Sequence, residues 1–132
     1  MMVNYPLSKE IAAKVGSQAK TCWLNAFRGL DHLPGALYIE GWAITADGLI
    51  IEHGWLDLDG VIIDPTLHDP SNPVTYYPGI RLTSKELQTA ILKTKGELPI
   101  YWSMISTGGH PDYKAAFDQA VKDSKSRERR TT

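Results

Sequence analysis

The chain has 132 residues, 42% hydrophobic and 22% charged, with a formal net charge of −1 and a single cysteine. That length suits one domain with a real core and is short for two. The near-neutral charge gives no global attraction to nucleic acid or an acidic membrane, and one cysteine excludes an internal disulfide, which fits a reducing, cytoplasmic setting. No apolar run approaches the ~20 residues of a membrane span, and the first residues do not read as a signal peptide.

In chain order, residues 1–6 read as an unstructured or extended lead-in. Leu7, Ile11, Ala12 and Val15 have helical spacing, with Ser8 as the expected N-cap. A second helix is expected over 21–30, where Trp23, Ala26, Phe27 and Leu30 form an apolar stripe able to bury against a sheet. Ser17 or Thr21 can cap it, which puts Cys22 in the first turn, where the positive end of the helix favours a thiolate.

Residues 36–44 read as a strand, rich in β-branched and aromatic side chains. Asp47-Gly48 and Asp59-Gly60 are hairpin turn signals, so 37–65 is expected to be a three-stranded antiparallel meander. A two-residue turn at Asp59-Gly60 sets Leu58 opposite Val61, Asp57 opposite Ile62, Trp55 opposite Asp64 and His53 opposite Thr66. His53 and Asp64 then share a face as diagonal neighbours, with backbones roughly 7–8 Å apart. A two-residue turn at Asp47-Gly48 would set Trp42 opposite His53 and bring Glu40, opposite Trp55, to the same face.

The proline-rich stretch 65–73 ends the sheet, and 74–82 can add a short strand weakened by Pro78. A helix capped by Ser84 runs to about Lys95 and stops at Gly96. Residues 98–105 read as a strand or extended segment ended by Gly108-Gly109, and 112–122 as an amphipathic helix. The domain is therefore placed at 1–121, with 122–132 a basic, flexible tail.

Cys22, His53 and Asp64 are the parts of a nucleophilic site: a thiolate to attack a carbonyl, an imidazole to move the proton, and a carboxylate to orient the imidazole. The dull alternative is a cysteine and a histidine packed in the core. No zinc-ligand spacing, Gly-rich phosphate loop or interleaved basic and aromatic pattern is present, so no metal or cofactor is expected. His32, His68 and His110 are lone loop histidines. Nucleic-acid contact is expected, if at all, only through the basic tail.

Cys22-Trp23 at a helix start, His53-Gly54-Trp55 on a following strand and Asp64-Pro65-Thr66 on the next resemble the core of transglutaminase-like proteins, in the wider papain-like group of cysteine enzymes. The resemblance spans residues 18–66. It implies an α+β fold in which an N-terminal nucleophile helix packs on a small antiparallel sheet, with further helices C-terminal. It implies Cys22 as nucleophile, His53 as base and Asp64 as orienting acid, acting as a thiol protease, amidase, deamidase or acyl transferase on a protein, peptide or small amide. Upstream glutamines in papain-like enzymes make Gln18 the first side-chain candidate for an oxyanion hole, and Asn25 the second. Glu40 and Trp55 are candidates for substrate contact. A different class of function is open at this point: a non-catalytic module on the same fold that sequesters a protein or small molecule, or a structural subunit of an assembly.

Overall fold

A computed structural model describes residues 2–94, 96–100 and 110–131. The fold is α+β, built on one mixed five-stranded sheet. Strand β1 (Met2–Val3) leads into α1 (Tyr5–Val15) and α2 (Cys22–Gly29), followed by a 3-10 turn (Leu30–His32). Strands β2 (Leu37–Ile44), β3 (Ile50–Leu58), β4 (Val61–Ile63) and β5 (Thr75–Leu82) precede α3 (Ser84–Lys93) and α4 (Pro111–Thr131). The spatial order is β1-β4-β3-β2-β5.

The β2-β3-β4 meander is present. Asp59 and Gly60 both take positive φ, 53° and 85°, and the strands they join pair Asp57 with Ile62 and Leu58 with Val61, as a two-residue turn requires. The ladder stops at Leu56–Ile63, so Trp55–Asp64 and His53–Thr66 are not ladder pairs. The other hairpin departs from expectation. The Thr45 N–H donates to the Leu49 carbonyl, the Leu49 N–H donates to the Thr45 hydroxyl, and Gly48 takes φ 90°, giving a three-residue loop at 46–48. That extra residue moves the register by one: Gly41 faces His53, and Glu40 faces Gly54. Because side chains alternate, Glu40 and Trp42 are carried to the face opposite His53.

The two faces carry separate clusters. Tyr38, Leu56 and Ile63 pack against Ile11 of α1, Ala26 of α2 and Leu87 of α3. Further along that face Trp42 lies between Tyr113 and Phe117 of α4, with ring centroids 5.5 and 4.6 Å away. The opposite face gathers Ile39, Trp55, Ile62 and Tyr76, with Val3, Leu37 and Val74 beside them.

Within the stretch read as an unstructured or extended lead-in, residues 2–3 form a strand parallel to β4. Helix α1 begins at Tyr5, capped by the Asn4 side chain, with Pro6 in its first turn. Ser8 is therefore no cap. It is buried and serves the site described below. Strand β5 pairs with β2 at the sheet edge, and Pro78 sits at a register shift, a place where sheets accept proline. Gly41 meets this shift: a Cβ there would lie 2.3 Å from the Tyr77 carbonyl oxygen. Thr83, one residue before the expected cap, forms a capping box with Glu86 on α3. Helix α4 continues through Lys122 to Thr131, where the tail was expected. The extension is tied to the sheet, since the Tyr77 hydroxyl donates to Asp123 and Arg127 to the Thr75 hydroxyl. Most of the strand expected over 98–105 lies outside the described residues.

Candidate active site

Helix α2 presents its first residue to the central strand at one specific place. Lys20 takes a left-handed φ of 68°, which turns the chain into the helix start at Thr21. The Thr21 hydroxyl does not cap the helix. It lies between the Gln18 carbonyl and the Asn25 side chain, at 2.9 and 3.1 Å. The first backbone N–H groups of α2, beginning at Cys22, are thus left without a side-chain cap. The next residue, Trp23, lies against Gly54: a Cβ on Gly54 would come within 2.7 Å of the indole Cδ1. Glycine there lets the first turn of α2 close on β3 next to His53, beyond the point where β4 pairing ends.

His53 Nε2 and Asp64 Oδ2 are 2.7 Å apart, and the two side chains are 2% and 0% exposed. Cys22, 7% exposed, lies near enough to the same imidazole to act on its charge. With Nε2 committed to Asp64, Nδ1 is the ring nitrogen left for the sulfur. Burial opposes a charge on His53, but the Asp64 carboxylate and the Cys22 contact outweigh it and raise its pKa to about 10. Burial likewise opposes the charge on Asp64; the His53 charge and hydrogen bond, with further donors, overcome it and hold the carboxyl below its ordinary range. Both shifts favour the ion pair of imidazolium and carboxylate.

The carboxylate is held on all sides. Oδ1 accepts the backbone N–H of Thr66 at 3.0 Å and of Leu67 at 2.9 Å. Oδ2 accepts the Tyr76 hydroxyl at 2.7 Å as well as His53. The Asp64 N–H donates to Ser8 Oγ at 2.9 Å, and the Ser8 hydroxyl donates to the Asn4 carbonyl at 2.7 Å, so α1 fixes the backbone that carries the acid. Trp55 stacks beside His53, with centroids 5.8 Å apart, and is 1% exposed, which makes it part of the wall behind the imidazole and no open shelf for a ligand.

The other residues singled out in the sequence fall elsewhere. Asn25 is buried; its Nδ2 donates to the Gln18 carbonyl at 2.9 Å and to the Thr66 hydroxyl at 2.8 Å. Both amide hydrogens are used, so Asn25 clasps the loop before α2 to the loop after Asp64 and has no donor left for an oxyanion. Gln18 is exposed, and its side chain has no hydrogen-bond partner among the described residues. Glu40 is fully buried on the other face, where Oε2 accepts the Tyr38 hydroxyl and the Ile100 N–H, both at 2.6 Å. It does not touch His53.

Ser8, Thr66 and Tyr76 were missed. The Asp64-Pro65-Thr66 run carried a readable signal, because an aspartate often accepts the N–H groups two and three residues on. Ser8 resembled a cap, and Asn4 followed two residues later by Pro6 was the stronger cap signal. Tyr76 has no local signal, since its role depends on where β5 docks.

Among the described residues, no cluster of three or more His, Cys, Asp or Glu could hold a metal ion, and no helix is long and apolar enough to cross a membrane. No protein-family model, curated protein or solved structure matches the chain.

Proposed function

We propose that the chain is a papain-like, transglutaminase-like cysteine enzyme that transfers acyl groups through Cys22, His53 and Asp64. The observation that carries this reading is a single imidazole bonded to a buried carboxylate at 2.7 Å, with a cysteine at a helix start near enough to act on its charge. The Cys22 thiolate attacks the carbonyl carbon of an amide or thioester, and the carbonyl electron pair moves to oxygen. Collapse of that adduct expels the leaving group, which takes its proton from His53 Nδ1, and leaves an acyl-thioester on Cys22. His53, now neutral, removes a proton from water as the water oxygen attacks the thioester carbonyl; collapse of this second adduct breaks the C–S bond, releases the acid and restores the Cys22 thiolate and the imidazolium. Asp64 keeps Nε2 protonated and supports the imidazolium throughout. The uncapped N–H of Cys22 is the main-chain donor for the oxyanion, and Gln18 is the side-chain candidate. Substrates of this class are proteins, peptides or small amides, with peptidase, amidase or deamidase outcomes.

A second reading, a non-catalytic binding module on the same fold, is favoured by the burial of Cys22. p-Nitrophenyl acetate separates the two. The enzyme reading predicts one acetyl group on Cys22 by intact-protein and peptide mass spectrometry, absent in Cys22→Ala and slow in His53→Ala. Absence of acylation in the folded wild-type chain supports the binding module instead.

A further inference from the structure

Two neighbouring tyrosines of β5 each donate a hydrogen bond to an aspartate, on opposite faces of the sheet. Tyr77 reaches Asp123 of α4 at 2.7 Å. Tyr76 reaches Asp64 at 2.7 Å, and it does so on Oδ2, the oxygen that also takes the His53 contact. Oδ1 is already filled by two backbone N–H groups, so the carboxylate cannot rotate to separate the two partners. The Tyr76 ring is 5% exposed and packs edge-on against Trp55, with centroids 4.9 Å apart and planes at 62°. Trp55 in turn stacks on His53. The hydroxyl is therefore aimed by packing that its removal would leave in place.

A donor placed on a carboxylate oxygen spreads its charge and lowers its hold on a second donor at the same atom. We propose that Tyr76 is a positioning residue of the Cys22–His53–Asp64 site, which holds Oδ2 toward the imidazole while limiting the grip of Asp64 on its proton, and so sets the pH at which His53 deprotonates. The catalytic consequence rests on the acyl-transfer reading; the electrostatic effect on His53 does not. Five ionisable groups share this environment with Tyr76: His53 on β3, Asp64 after β4, Cys22 on α2, Tyr5 on α1, which acts on Tyr76, and Tyr38 on β2, which interacts with Cys22. Burial and the Asp64 carboxylate both push the Tyr76 phenol far up, so it remains a donor over the whole range in which His53 titrates.

The test is an NMR titration of the His53 ring in the full chain, labelled at histidine. Tyr76→Phe removes the donor and should move the His53 midpoint upward by about half to one pH unit. Site-specific 3-fluorotyrosine at position 76 makes the phenol a stronger donor and should move the midpoint down. Tyr77→Phe, the same change on the other face, should leave it unmoved. A Tyr76→Phe midpoint equal to that of Tyr77→Phe, or a downward shift, overturns the proposal. Should Tyr76→Phe fail to fold, the fluorinated protein decides alone, since an unchanged or raised midpoint there is equally fatal. The acyl-transfer reading fails by a different result, Cys22 reactivity indifferent to His53, which this titration does not measure.

Discussion

Asp64 is the residue on which the candidate site turns. It is fully buried, yet its side chain accepts four hydrogen bonds, two on each oxygen. A buried charge is tolerated when it is paired and its lone pairs are filled, and both conditions hold here. Asp64→Asn breaks the arrangement in a directed way. The amide oxygen must serve the Thr66 and Leu67 N–H groups, which turns the Nδ2 hydrogens toward His53 Nε2–H and the Tyr76 hydroxyl. The imidazole is then driven to the wrong tautomer. Acylation of Cys22 should fall by about 10³- to 10⁴-fold. Equilibrium unfolding in urea should show a loss of about 3 kcal/mol. Wild-type acylation in a folded Asp64→Asn protein removes the carboxylate from the chemistry. Much of this residue's setting was legible, because a two-residue turn at Asp59-Gly60 fixes which face Asp64 occupies. The face of Glu40 was not, since it depended on one loop residue at 46–48 that the Asp47-Gly48 pair alone does not specify.

At the scale of elements, the decisive contact is α2 on β3. Trp23 rests on Gly54, and Asn25 ties the loop before α2 to Thr66, so the nucleophile, the base strand and the acid loop are joined by two short-range devices. Gly54→Ala would put a methyl group 2.7 Å from the Trp23 ring. It should destabilise the fold by about 1–3 kcal/mol through overpacking. It should also slow Cys22 alkylation at pH 7, because relief comes by lifting the first turn of α2 away from His53. A Gly54→Ala protein with wild-type stability and alkylation rate would show that α2 does not need this close approach. The helical stripe of α2 and its cysteine at the first turn could be read from the sequence by periodicity. The glycine's purpose could not, because the close approach of Trp23 exists only after the helix has docked. Tyr76 and Ser8 were hidden for the same reason: each reaches Asp64 from an element remote in sequence.

Across the whole molecule, the buried pair ties stability to pH at both ends. The folded His53 pKa is raised from 6.5 to about 10, so its contribution is complete below pH 6.5 and is lost as the pH climbs through about 10. Asp64 is shifted the other way. Its contribution is present above the ordinary value of 3.8 and disappears as the pH falls through the depressed folded value. Thermal melts should therefore show falling stability from neutral toward pH 10, and the alkaline fall should flatten in Asp64→Asn. An alkaline limb of equal slope in both proteins would assign the loss to other groups. The sequence conveyed the α+β class and the central meander, which follow from local turns and periodicity. It did not convey the parallel β1, the edge position of β5 or the length of α4, all of which are set by packing between distant segments.

Whether Cys22 and His53 act as one chemical unit is read from the rate of iodoacetamide alkylation at Cys22 against pH. Cys22 in the wild-type chain should be alkylated between pH 6 and 7.5 faster than a free thiol peptide, and His53→Ala should lower this rate at least about tenfold while the protein stays folded. Alkylation no faster than the free peptide, with an equal rate in folded His53→Ala, would show that the two do not act as one.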